Sequence, residues 1–442
     1  MSQKSQWKSS TGFILASAGS AIGLGALWKF PYMAGMYGGG AFLFMFVLFT
    51  ILIGLPFLIM EFAVGKLGRI YTTQLFGKLT GQKWLNSIGW IGNLTVFLLF
   101  GFYSVIGGWI VVYIGIVGLQ WIHLGLAHLS DIRFESVISQ PAYTLIGQLI
   151  FIGLTCLIVM LGVEKGLEKA SKVMMPLLFI FLIIIVAQSL SLKGAMEGVR
   201  FLFEPRVTDI TMDSILFALG QSFFALSLGT TGMMTYASYA PKEMPIKRSA
   251  ITIVAMNIVI AILAGLAIFP ALQAFGYQPK EGPGLLFKVL PLVFEKIQFG
   301  ALFYIIFLVL FLFAALTSSI SLLELNISNL TRNDNRKRTK MTMLVGAGVV
   351  MISIPAMLSF SSLSGLTFGA GTLFDNMDFL VSNILLPIGA LASTLAIGHK
   401  VKKETLREAF GNHRLKLFYP WYILVKWVLP CIILAVFILQ FV

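Results

Sequence analysis

The stretch AGSAIGLG at residues 18–25 lies in the middle of an apolar run that extends from residue 11 to residue 35. Its three glycines weaken a helix, because glycine costs about 1 kcal/mol relative to alanine in a helix interior. A second cluster of small residues, SLGTTG at residues 227–232, lies in the middle of the run from residue 212 to residue 239. Close helix packing explains one such cluster, but two at corresponding positions in the two halves of a chain are typical of helices that break around an internal site.

The composition excludes a water-soluble protein. The 442 residues are 58% hydrophobic and 11% charged, with a mean hydropathy of +0.91, whereas soluble proteins average about 25% charged residues. Cys156 and Cys431 both lie in apolar runs, and a single distant pair excludes a disulfide framework. We therefore expect an integral membrane protein whose main partner is the lipid bilayer.

Eleven apolar runs are long enough to cross a membrane, since a spanning helix needs about 20 mostly apolar residues. They cover residues 11–35, 40–65, 85–120, 143–161, 173–190, 212–239, 249–275, 299–330, 341–358, 374–397 and 419–442. The pattern predicts an all-α membrane domain. Unpaired backbone at membrane depth is tolerated only where it lines a cavity or contacts protein, so the two clusters predict broken first and sixth spans and the central site of a transporter.

The basic residues predict the orientation of the chain, which carries a formal net charge of +14. With the N-terminus in the cytoplasm, 23 Lys and Arg residues fall in cytoplasmic segments and seven in external ones. This distribution is the positive-inside bias of membrane proteins. We therefore expect a plasma-membrane protein with a cytoplasmic N-terminus and an extracellular C-terminus. A nucleic-acid partner is not expected, because it would need a soluble basic face.

Several rare motifs occur in order along the whole chain. Besides the two clusters they are KFP at 29–31, GGGAF at 38–42, GQSFFALSLG at 220–229, TYASY at 235–239, LTSS at 316–319 and MDF at 377–379. With these motifs the sequence resembles the neurotransmitter:sodium symporters, in particular the prokaryotic members. The resemblance implies one transporter domain over residues 1–442 that works by alternating access. It consists of two inverted five-helix repeats, at about 11–190 and 212–397, and an eleventh helix at about 419–442.

The resemblance implies two sodium sites, of which the second is complete. Its ligands match the carbonyl groups of Gly19, Ile22 and Ala314 and the hydroxyl groups of Thr317 and Ser318. Spacings of three and four residues bring the last three residues onto one face of the eighth helix. The alternative for the two hydroxyl groups is a bond back to their own helix. We expect one Na⁺ ion at this site.

The first sodium site looks degraded. Of the ligands that the family uses, only the Ala21 carbonyl and Asn257 remain, because Ala26 and Ala225 stand where relatives carry side-chain oxygens. Too few oxygen atoms are left for a well-coordinated ion.

The neighbouring chloride site of the family is missing as well. Ala261 and Phe46 stand where relatives carry a carboxylate or the chloride ligands, and of that anion site only Gln221 survives. A buried negative charge is costly unless a positive charge balances it. The loss of the first sodium site and the loss of the nearby negative charge therefore agree with each other. We expect coupling through the second sodium site alone and no need for chloride.

The resemblance implies an amino-acid site between the two breaks. Backbone amides at a helix N-terminus attract a carboxylate, and Leu24 and Gly25 provide such amides. The Tyr103 hydroxyl matches a further carboxylate contact, although a packed ring is the usual role of a membrane tyrosine. Phe224 matches the lid over the site. The other positions that match the pocket are Ala26, Leu99, Ser227, Thr230, Ser318 and Leu322.

Two substitutions within this pocket predict the substrate class. Gly23 stands where monoamine carriers place an Asp, which favours an α-amino acid. Thr230 stands where the family has an aromatic side chain, which leaves room for a medium to large neutral side chain.

The resemblance places a gate on each side of the site. Lys29 and Asp378 match the external pair, although Lys lacks the planar fork of Arg and could instead extend toward lipid headgroups. The residues that match the internal gate are Lys4, Trp7, Ser238 and Tyr239. Its expected acidic partner aligns with Arg332, so Asp334 is the nearby substitute.

Two further features of the membrane helices match the family. Gly166 and Pro176, at the start of the fifth helix, match a motif for local unwinding that admits water to the second sodium site. A plain proline kink is the alternative. Glu61 is a carboxylate within the second span, and we expect it to support the broken first helix.

These features predict a sodium-coupled symporter of neutral, mainly hydrophobic α-amino acids. A proton-coupled or exchange carrier is an alternative, because one sodium site is degraded. A sensor that binds amino acids without moving them is another, which the gates and the unwinding motif disfavour. An enzyme is not expected, because the sequence shows no metal-binding cluster or catalytic triad around its four histidines, which are His123, His128, His399 and His413.

Overall fold

The computed structural model describes residues 6–124, 129, 133–241, 243–277, 285–332, 334–410 and 415–441. These residues form helices joined by short connections. The described part of the chain contains no strand beyond an isolated bridge between Phe368 and Gly371. The prediction of an all-α protein is confirmed.

Nine helices in the described ranges are long and apolar enough to cross a membrane. They are Gly40–Gly68, Lys83–Trp121, Pro141–Met160, Val163–Leu190, Ile246–Ala274, Gly300–Thr331, Asn335–Leu358, Leu373–Lys400 and Leu417–Leu439. The bent pair Ser10–Ala21 and Gly25–Met36 adds a tenth span, and the pieces Met212–Ala225 and Gly232–Ser238 occupy the sixth predicted run. We keep the ordinal names of the predicted runs. The count of eleven stays a prediction, because each piece of the sixth span is too short to cross a membrane alone.

The first span breaks at residues 22–24. The helix Ser10–Ala21 ends at Ile22, whose φ of −89° and ψ of 59° lie outside the helical region. The chain then continues as Gly25–Met36 at an angle of 47° to the first piece. The break is tightly packed at Gly23, because a Cβ there would lie 2.0 Å from Ser318 Oγ and would displace that side chain. The small residues therefore interrupt the helix where the sequence predicts.

The sixth span breaks between Ala225 and Gly232. The backbone takes the left-handed conformation at Ser227, Gly229 and Thr231, with φ of 53°, 80° and 61°. This conformation costs about 1–3 kcal/mol for a residue other than glycine, and it is found where the surrounding structure holds it in place. The predicted break of the sixth helix is confirmed, and its neighbours must stabilise it.

Glu61 of the second span is one of these neighbours. It is fully buried, and its Oε1 accepts a hydrogen bond of 3.3 Å from the N–H of Gly229. The second span packs closely on Gly232–Ser238, since a Cβ at Gly65 would lie 2.1 Å from the Met234 carbonyl oxygen. Our expectation that Glu61 supports the first helix is therefore corrected. It supports the broken sixth helix, because that is the helix against which this part of the second span lies.

The eighth span forms the centre of the molecule. Every residue from Ala314 to Asn329 is buried, and the span packs against the first, third, fourth and fifth spans. The outermost helices expose apolar side chains instead, such as Leu157 at 59% and Met351 at 70%. An apolar exterior of this kind is solvated by hydrocarbon rather than by water. The chain is an integral membrane protein.

Candidate functional site

A cavity of about 40 Å³ lies between the two broken helices. Its walls are Ser20, Ala21, Gly23, Leu24, Gly25, Leu99, Tyr103, Phe224, Ser227, Leu228, Thr230, Ser318, Ser321, Leu322 and Leu386. Nine of the ten residues predicted to contact substrate are among them. The tenth, Ala26, is fully buried and does not line the cavity. Sequence reasoning missed Ser20, Leu228, Ser321 and Leu386 as lining residues. The first two lie in the predicted breaks, whereas no local pattern distinguishes Ser321 and Leu386 from other residues of their helices.

One end of this cavity is polar. The Tyr103 hydroxyl oxygen accepts a hydrogen bond of 3.4 Å from the N–H of Leu24, beside the start of the helix Gly25–Met36. The Ser20 carbonyl oxygen accepts hydrogen bonds from Ser227 Oγ at 2.8 Å and from Ser318 Oγ at 3.2 Å. Amide and hydroxyl donors suit a carboxylate, and carbonyl oxygens suit an ammonium group. This end can therefore bind both charges of a zwitterion.

Most of the remaining wall is apolar, apart from the hydroxyl groups of Thr230 and Ser321. The side chains of Leu99, Leu228, Leu322 and Leu386 line it together with the ring of Phe224. A mostly apolar wall with a few placed polar groups is typical of a small-molecule site.

Three of these side chains separate the cavity from a larger one of about 410 Å³, which we call the vestibule. Phe224, Leu228 and Leu386 line both cavities and form this partition. Lys29 Nζ lies 4.5 Å from the centre of the Phe224 ring. Phe224 thus stands where the sequence predicts a lid.

The predicted external gate residues are not paired with each other. Asp378 Oδ1 accepts a hydrogen bond of 2.7 Å from Ser382 Oγ. Among the described side chains, no ion pair joins Lys29 to Asp378. The ammonium group of Lys29 instead faces the Phe224 ring, where a cation–π contact attracts it.

Oxygen atoms converge beside the cavity from the first and eighth spans. Ser318 Oγ donates a hydrogen bond of 3.3 Å to the Gly19 carbonyl oxygen, and Thr317 Oγ1 donates one of 3.0 Å to the Ala314 carbonyl oxygen. A Cβ at Gly19 would lie 2.9 Å from the Thr317 Cβ, so the two helices touch here. Four of the five predicted sodium ligands lie in this cluster. The fifth, Ile22, directly follows the end of the helix.

The chemistry of this cluster fits a sodium ion. Hard cations prefer oxygen ligands, and a broken helix provides carbonyl groups that lack a helical partner. A hydroxyl group that now donates to a carbonyl oxygen can also direct its lone pairs to a cation. A transition-metal site is not indicated, because the described residues include no group of three or more His, Cys, Asp or Glu side chains.

Hydrogen bonds fill the predicted first sodium site. Asn257 Nδ2 donates to the carbonyl oxygens of Ala225 at 2.7 Å and Ala21 at 3.4 Å. Asn257 Oδ1 is buried and has no hydrogen-bond partner among the described residues. Ala225 and Ala26 are fully buried and present only methyl groups. The Ala21 carbonyl oxygen, which the resemblance gives as a ligand of this site, therefore accepts a hydrogen bond from the Asn257 amide.

Two of the positions that match the family's chloride site are apolar. Phe46 and Ala261 are fully buried, and Gln221 Nε2 donates a hydrogen bond of 2.7 Å to the Gly25 carbonyl oxygen. The surviving amide of that site is thus bonded to the broken first span.

The end of the molecule opposite the vestibule is closed by Trp7. Its side chain is 2% exposed, its Nε1 donates to the Tyr236 carbonyl oxygen at 2.8 Å, and its backbone N–H donates to the Tyr239 carbonyl oxygen at 3.1 Å. Ser238 Oγ donates within its own helix segment, to the Thr235 carbonyl oxygen at 2.7 Å. We call this region the inner seal. The remaining predicted residue of the internal gate, Lys4, lies outside the described residues.

A buried acid of the eighth span completes the inner seal. The Tyr239 hydroxyl donates to Glu324 Oε1 at 2.9 Å, and the fully buried Glu324 carboxylate forms an ion pair with Arg338. Asp334, the predicted substitute, accepts the N–H of Arg336 as a local cap, and its pairing with Lys4 stays a prediction because Lys4 lies outside the described residues. The signal that could have identified Glu324 is a carboxylate inside the eighth apolar run.

The predicted unwinding motif lies next to the sodium cluster. Gly166 belongs to the wide turns Val163–Glu168 that begin the fifth span, and a Cβ there would lie 2.0 Å from the Ile158 carbonyl oxygen. Pro176 lies inside the helix that follows. Its neighbour Met175 is within 3.2 Å of a Cβ built at Gly19, so the fifth span also contacts the first span at the sodium cluster.

The same turns hold the N-terminal segment. The buried carboxylate of Glu168 accepts hydrogen bonds from the N–H of Lys8 at 2.7 Å and from Ser9 Oγ at 2.8 Å, and it pairs with Lys172 Nζ at 2.6 Å. Sequence reasoning missed this contact, because its partners are about 160 residues apart.

Known proteins resemble this chain over nearly its whole length. The profile of the "Sodium:neurotransmitter symporter family" matches residues 4–120 and 126–442. An uncharacterized sodium-dependent transporter of Bacillus subtilis (strain 168), YhdH, is 48% identical over 98% of this chain and 97% of that protein. A sodium-dependent transporter of Haemophilus influenzae is 35% identical over 99% of this chain and 98% of that protein. The crystal structure of MhsT in complex with L-phenylalanine superposes with a TM-score of 0.90 at 36% identity, covering 98% of this chain and 99% of that one.

Proposed function

The chain belongs to the sodium:neurotransmitter symporter family and is a sodium-dependent transporter, and on this premise we propose that it carries neutral, hydrophobic α-amino acids together with one sodium ion. The observation that carries this proposal is the position of Ser318. Its hydroxyl group lines the central cavity and also belongs to the oxygen cluster that fits sodium. Ion and substrate would therefore contact the same side chain.

The substrate class follows from the two ends of the cavity. The carboxylate would bind the Tyr103 hydroxyl and the amides at the start of Gly25–Met36, where the helix dipole is positive. The ammonium group would bind the Ser20 carbonyl oxygen and Ser227. Four leucines and Phe224 would surround an apolar side chain. The complex of MhsT with L-phenylalanine supports a hydrophobic amino acid.

Sodium at the second site would couple binding to closure. Gly19 belongs to the first piece of the broken first span, and Ala314, Thr317 and Ser318 belong to the eighth. An ion held by both helices keeps them together and so favours a closed inner seal. Its loss toward the side of Trp7 would free the first piece to move, and water would reach it through the turns around Gly166.

A single sodium ion and no chloride are the finer part of the proposal. The amide of Asn257 supplies hydrogen bonds to Ala21 and Ala225, the carbonyl groups at the degraded first site. Ala261 and Phe46 provide neither a carboxylate nor a chloride ligand, so no charge at these positions would need a second cation to balance it.

We also propose the arrangement of the chain in the membrane. The whole chain would be one transporter domain with repeats at about 11–190 and 212–397, followed by the helix at about 419–442. The N-terminus and the inner seal would face the cytoplasm, and the vestibule would face the outside of a plasma-membrane protein. The excess of basic residues in the segments on the side of Trp7 supports this orientation.

Uptake into proteoliposomes under separate Na⁺, H⁺ and Cl⁻ gradients tests the coupling. We expect uptake of labelled L-phenylalanine and L-leucine to follow the Na⁺ gradient alone, with a sodium Hill coefficient close to one. A Hill coefficient clearly above one or a requirement for chloride contradicts the single-site proposal. Uptake driven only by H⁺ indicates the proton-coupled alternative. Sodium-dependent binding without uptake indicates a sensor.

A panel of amino acids in a sodium-dependent binding assay tests the substrate class. We expect leucine and phenylalanine to bind at least about tenfold more tightly than alanine, because each buried methylene contributes about 0.8 kcal/mol. Lysine and glutamate should not compete, since the apolar end of the cavity cannot solvate a charge. Preferred binding of a charged or a very small amino acid contradicts the proposal.

A further inference from the structure

Two lysines and three aromatic side chains lie together at the junction of the tenth and eleventh spans. Lys426 Nζ is 5.7 Å from the centre of the Tyr422 ring and 5.5 Å from that of Trp427. Lys403 Nζ is 4.5 Å from the centre of the Tyr419 ring and 5.7 Å from that of Tyr422. Both ammonium groups therefore contact one shared ring. We call these five residues the basic aromatic patch.

The basic aromatic patch faces the surroundings of the protein. Tyr419 and Trp427 are 47% and 57% exposed, and Ile423 on the same helix is 54% exposed. Lys426 lies nine residues inside the helix Leu417–Leu439, about 13 Å along its axis at 1.5 Å per residue. Its ammonium group lies between the rings of Tyr422, one turn nearer the start of the helix, and Trp427, the next residue. A lysine at such a lipid-facing position can extend toward the headgroups.

The positive charge of this patch is not balanced by the protein. Neither Lys403 nor Lys426 forms an ion pair with any carboxylate of the described residues. Glu404 and Glu408, the acids of the helix Lys403–Phe410, are exposed and pair with neither lysine. Further basic side chains are exposed close by in the sequence, namely Lys400, Lys402 and Arg407. Aromatic rings attract an ammonium group without neutralising it, so the charge remains available to an anion.

We propose that the basic aromatic patch binds the headgroup of an anionic phospholipid from the surrounding bilayer. The phosphate would contact the ammonium groups of Lys403 and Lys426 on either side of Tyr422, and the acyl chains would lie along Ile423 and Trp427. Basic side chains at the headgroup level of a membrane helix attract anionic lipids. We assign a lipid rather than a free phosphate ion, because much of the patch is an apolar surface that only acyl chains cover.

Titration of phosphatidylglycerol into the purified full chain, in micelles with zwitterionic lipid, tests this site by thermal unfolding. We expect the unfolding midpoint to rise with phosphatidylglycerol. The concentration for half of the effect should increase at least about tenfold in the double variant Lys403→Gln/Lys426→Gln, because two contacts with the phosphate are lost. The control is Lys337→Gln/Lys340→Gln, which removes the same charge from exposed positions at the start of the ninth span. It should respond like the unaltered chain.

Two results overturn the proposal. Equal weakening in both double variants would show that net charge, rather than the patch, attracts the lipid. An equal rise of the midpoint with inorganic phosphate alone would make the ligand a soluble anion.

If the first double variant does not fold, Lys403→Arg/Lys426→Arg keeps both charges and should keep the response. Tyr422→Leu removes the shared ring and should weaken the response to phosphatidylglycerol. Loss of the response in the Arg variant, or an unchanged response in Tyr422→Leu, also contradicts the proposal.

Discussion

At the scale of single residues, Ser318 connects the two candidate sites. Its hydroxyl group donates to the carbonyl oxygens of Gly19 and Ser20, one in the oxygen cluster and one in the cavity wall. It also occupies the space that a Cβ at Gly23 would need, at a distance of 2.0 Å. A change at any of these residues should therefore alter ion and substrate binding together.

The substitution Gly23→Ala tests this crowding. The added methyl group would displace Ser318 Oγ and approach the Tyr103 hydroxyl, which lies 3.0 Å from the same point. Overpacking costs about 1–3 kcal/mol, so we expect substrate affinity to fall about tenfold or more in a binding assay. Gly153→Ala is the control, because a Cβ there meets no atom within 4 Å. Unchanged substrate affinity in Gly23→Ala would contradict this prediction, because the neighbouring side chains would then have made space for the added methyl group.

The substitution Thr317→Val tests the sodium cluster. Valine keeps the shape of the side chain and removes the hydroxyl oxygen, so we expect the sodium concentration for half-maximal substrate binding to rise about tenfold. Stability should change by only about 1 kcal/mol, because the lost hydrogen bond is one to the residue's own helix. The control is Thr331→Val on the same helix, where the hydroxyl group bonds to the Ile327 carbonyl oxygen. An equal effect of both variants on sodium dependence would exclude Thr317 as a ligand.

At the scale of helices, the two helix breaks could be predicted from the sequence, but the residues that stabilise them could not. Small residues at 18–25 and 227–232 weaken a helix locally, so the signal lies within a few neighbouring residues. The partner of Glu61 depends on which helix lies beside the second span, and the sequence alone led to the wrong helix. The inner acid at Glu324 and the contact of Lys29 with Phe224 likewise depend on three-dimensional packing between distant residues. Motif matching located the candidate positions and not their contacts.

The N-terminal segment and the fifth helix form a pair of elements whose contact can be tested. In Glu168→Gln the carboxylate that holds Lys8, Ser9 and Lys172 becomes neutral, and hydrogen bonds to a charged group are about twice as strong as neutral ones. We expect backbone amides of residues 8–13 to exchange hydrogen about tenfold faster. Mass spectrometry of the exchanged protein measures this rate.

The matched control for this contact is Glu164→Gln. Glu164 lies in the same turns and faces Lys8 Nζ at 3.6 Å, but both side chains are largely exposed. An exposed ion pair of this kind contributes little to stability, so hydrogen exchange of residues 8–13 should stay close to that of the unaltered chain. If both variants exchange equally fast, Glu168 does not hold the N-terminal segment.

At the scale of the whole molecule, the central cavity lies between two unlike barriers. Toward the vestibule it is bounded by the side chains of Phe224, Leu228 and Leu386. On the opposite side the inner seal contains one backbone and one side-chain hydrogen bond donated by Trp7, and the buried pair of Glu324 and Arg338. The barrier toward the vestibule therefore consists of side chains alone, whereas the barrier toward Trp7 also contains hydrogen bonds and a buried ion pair.

The buried ion pair of Glu324 and Arg338 leads to a prediction about the stability of single and double variants. Arg338→Met leaves the Glu324 carboxylate buried without its partner, which costs about 3–5 kcal/mol. We expect the thermal unfolding midpoint in micelles to fall strongly in this variant. The double variant Glu324→Gln/Arg338→Met removes the uncompensated charge and should recover most of the loss.

The exposed neighbour Arg336 provides the control for this pattern. Arg336→Met should leave the midpoint unchanged, because its side chain is not part of the seal. A double variant no more stable than Arg338→Met alone would show that the stability of the seal does not depend on the balance of charge within it.

The unlike construction of the two barriers has a kinetic consequence. Rotation of a few side chains is fast, whereas separation of a buried ion pair together with movement of a helix is a collective event of microseconds to milliseconds. On the proposed alternating-access function, we expect binding from the vestibule to reach equilibrium before the inner seal opens. Where this opening is the slowest step of the cycle, the temperature dependence of the maximal uptake rate reports the activation enthalpy of the inner seal.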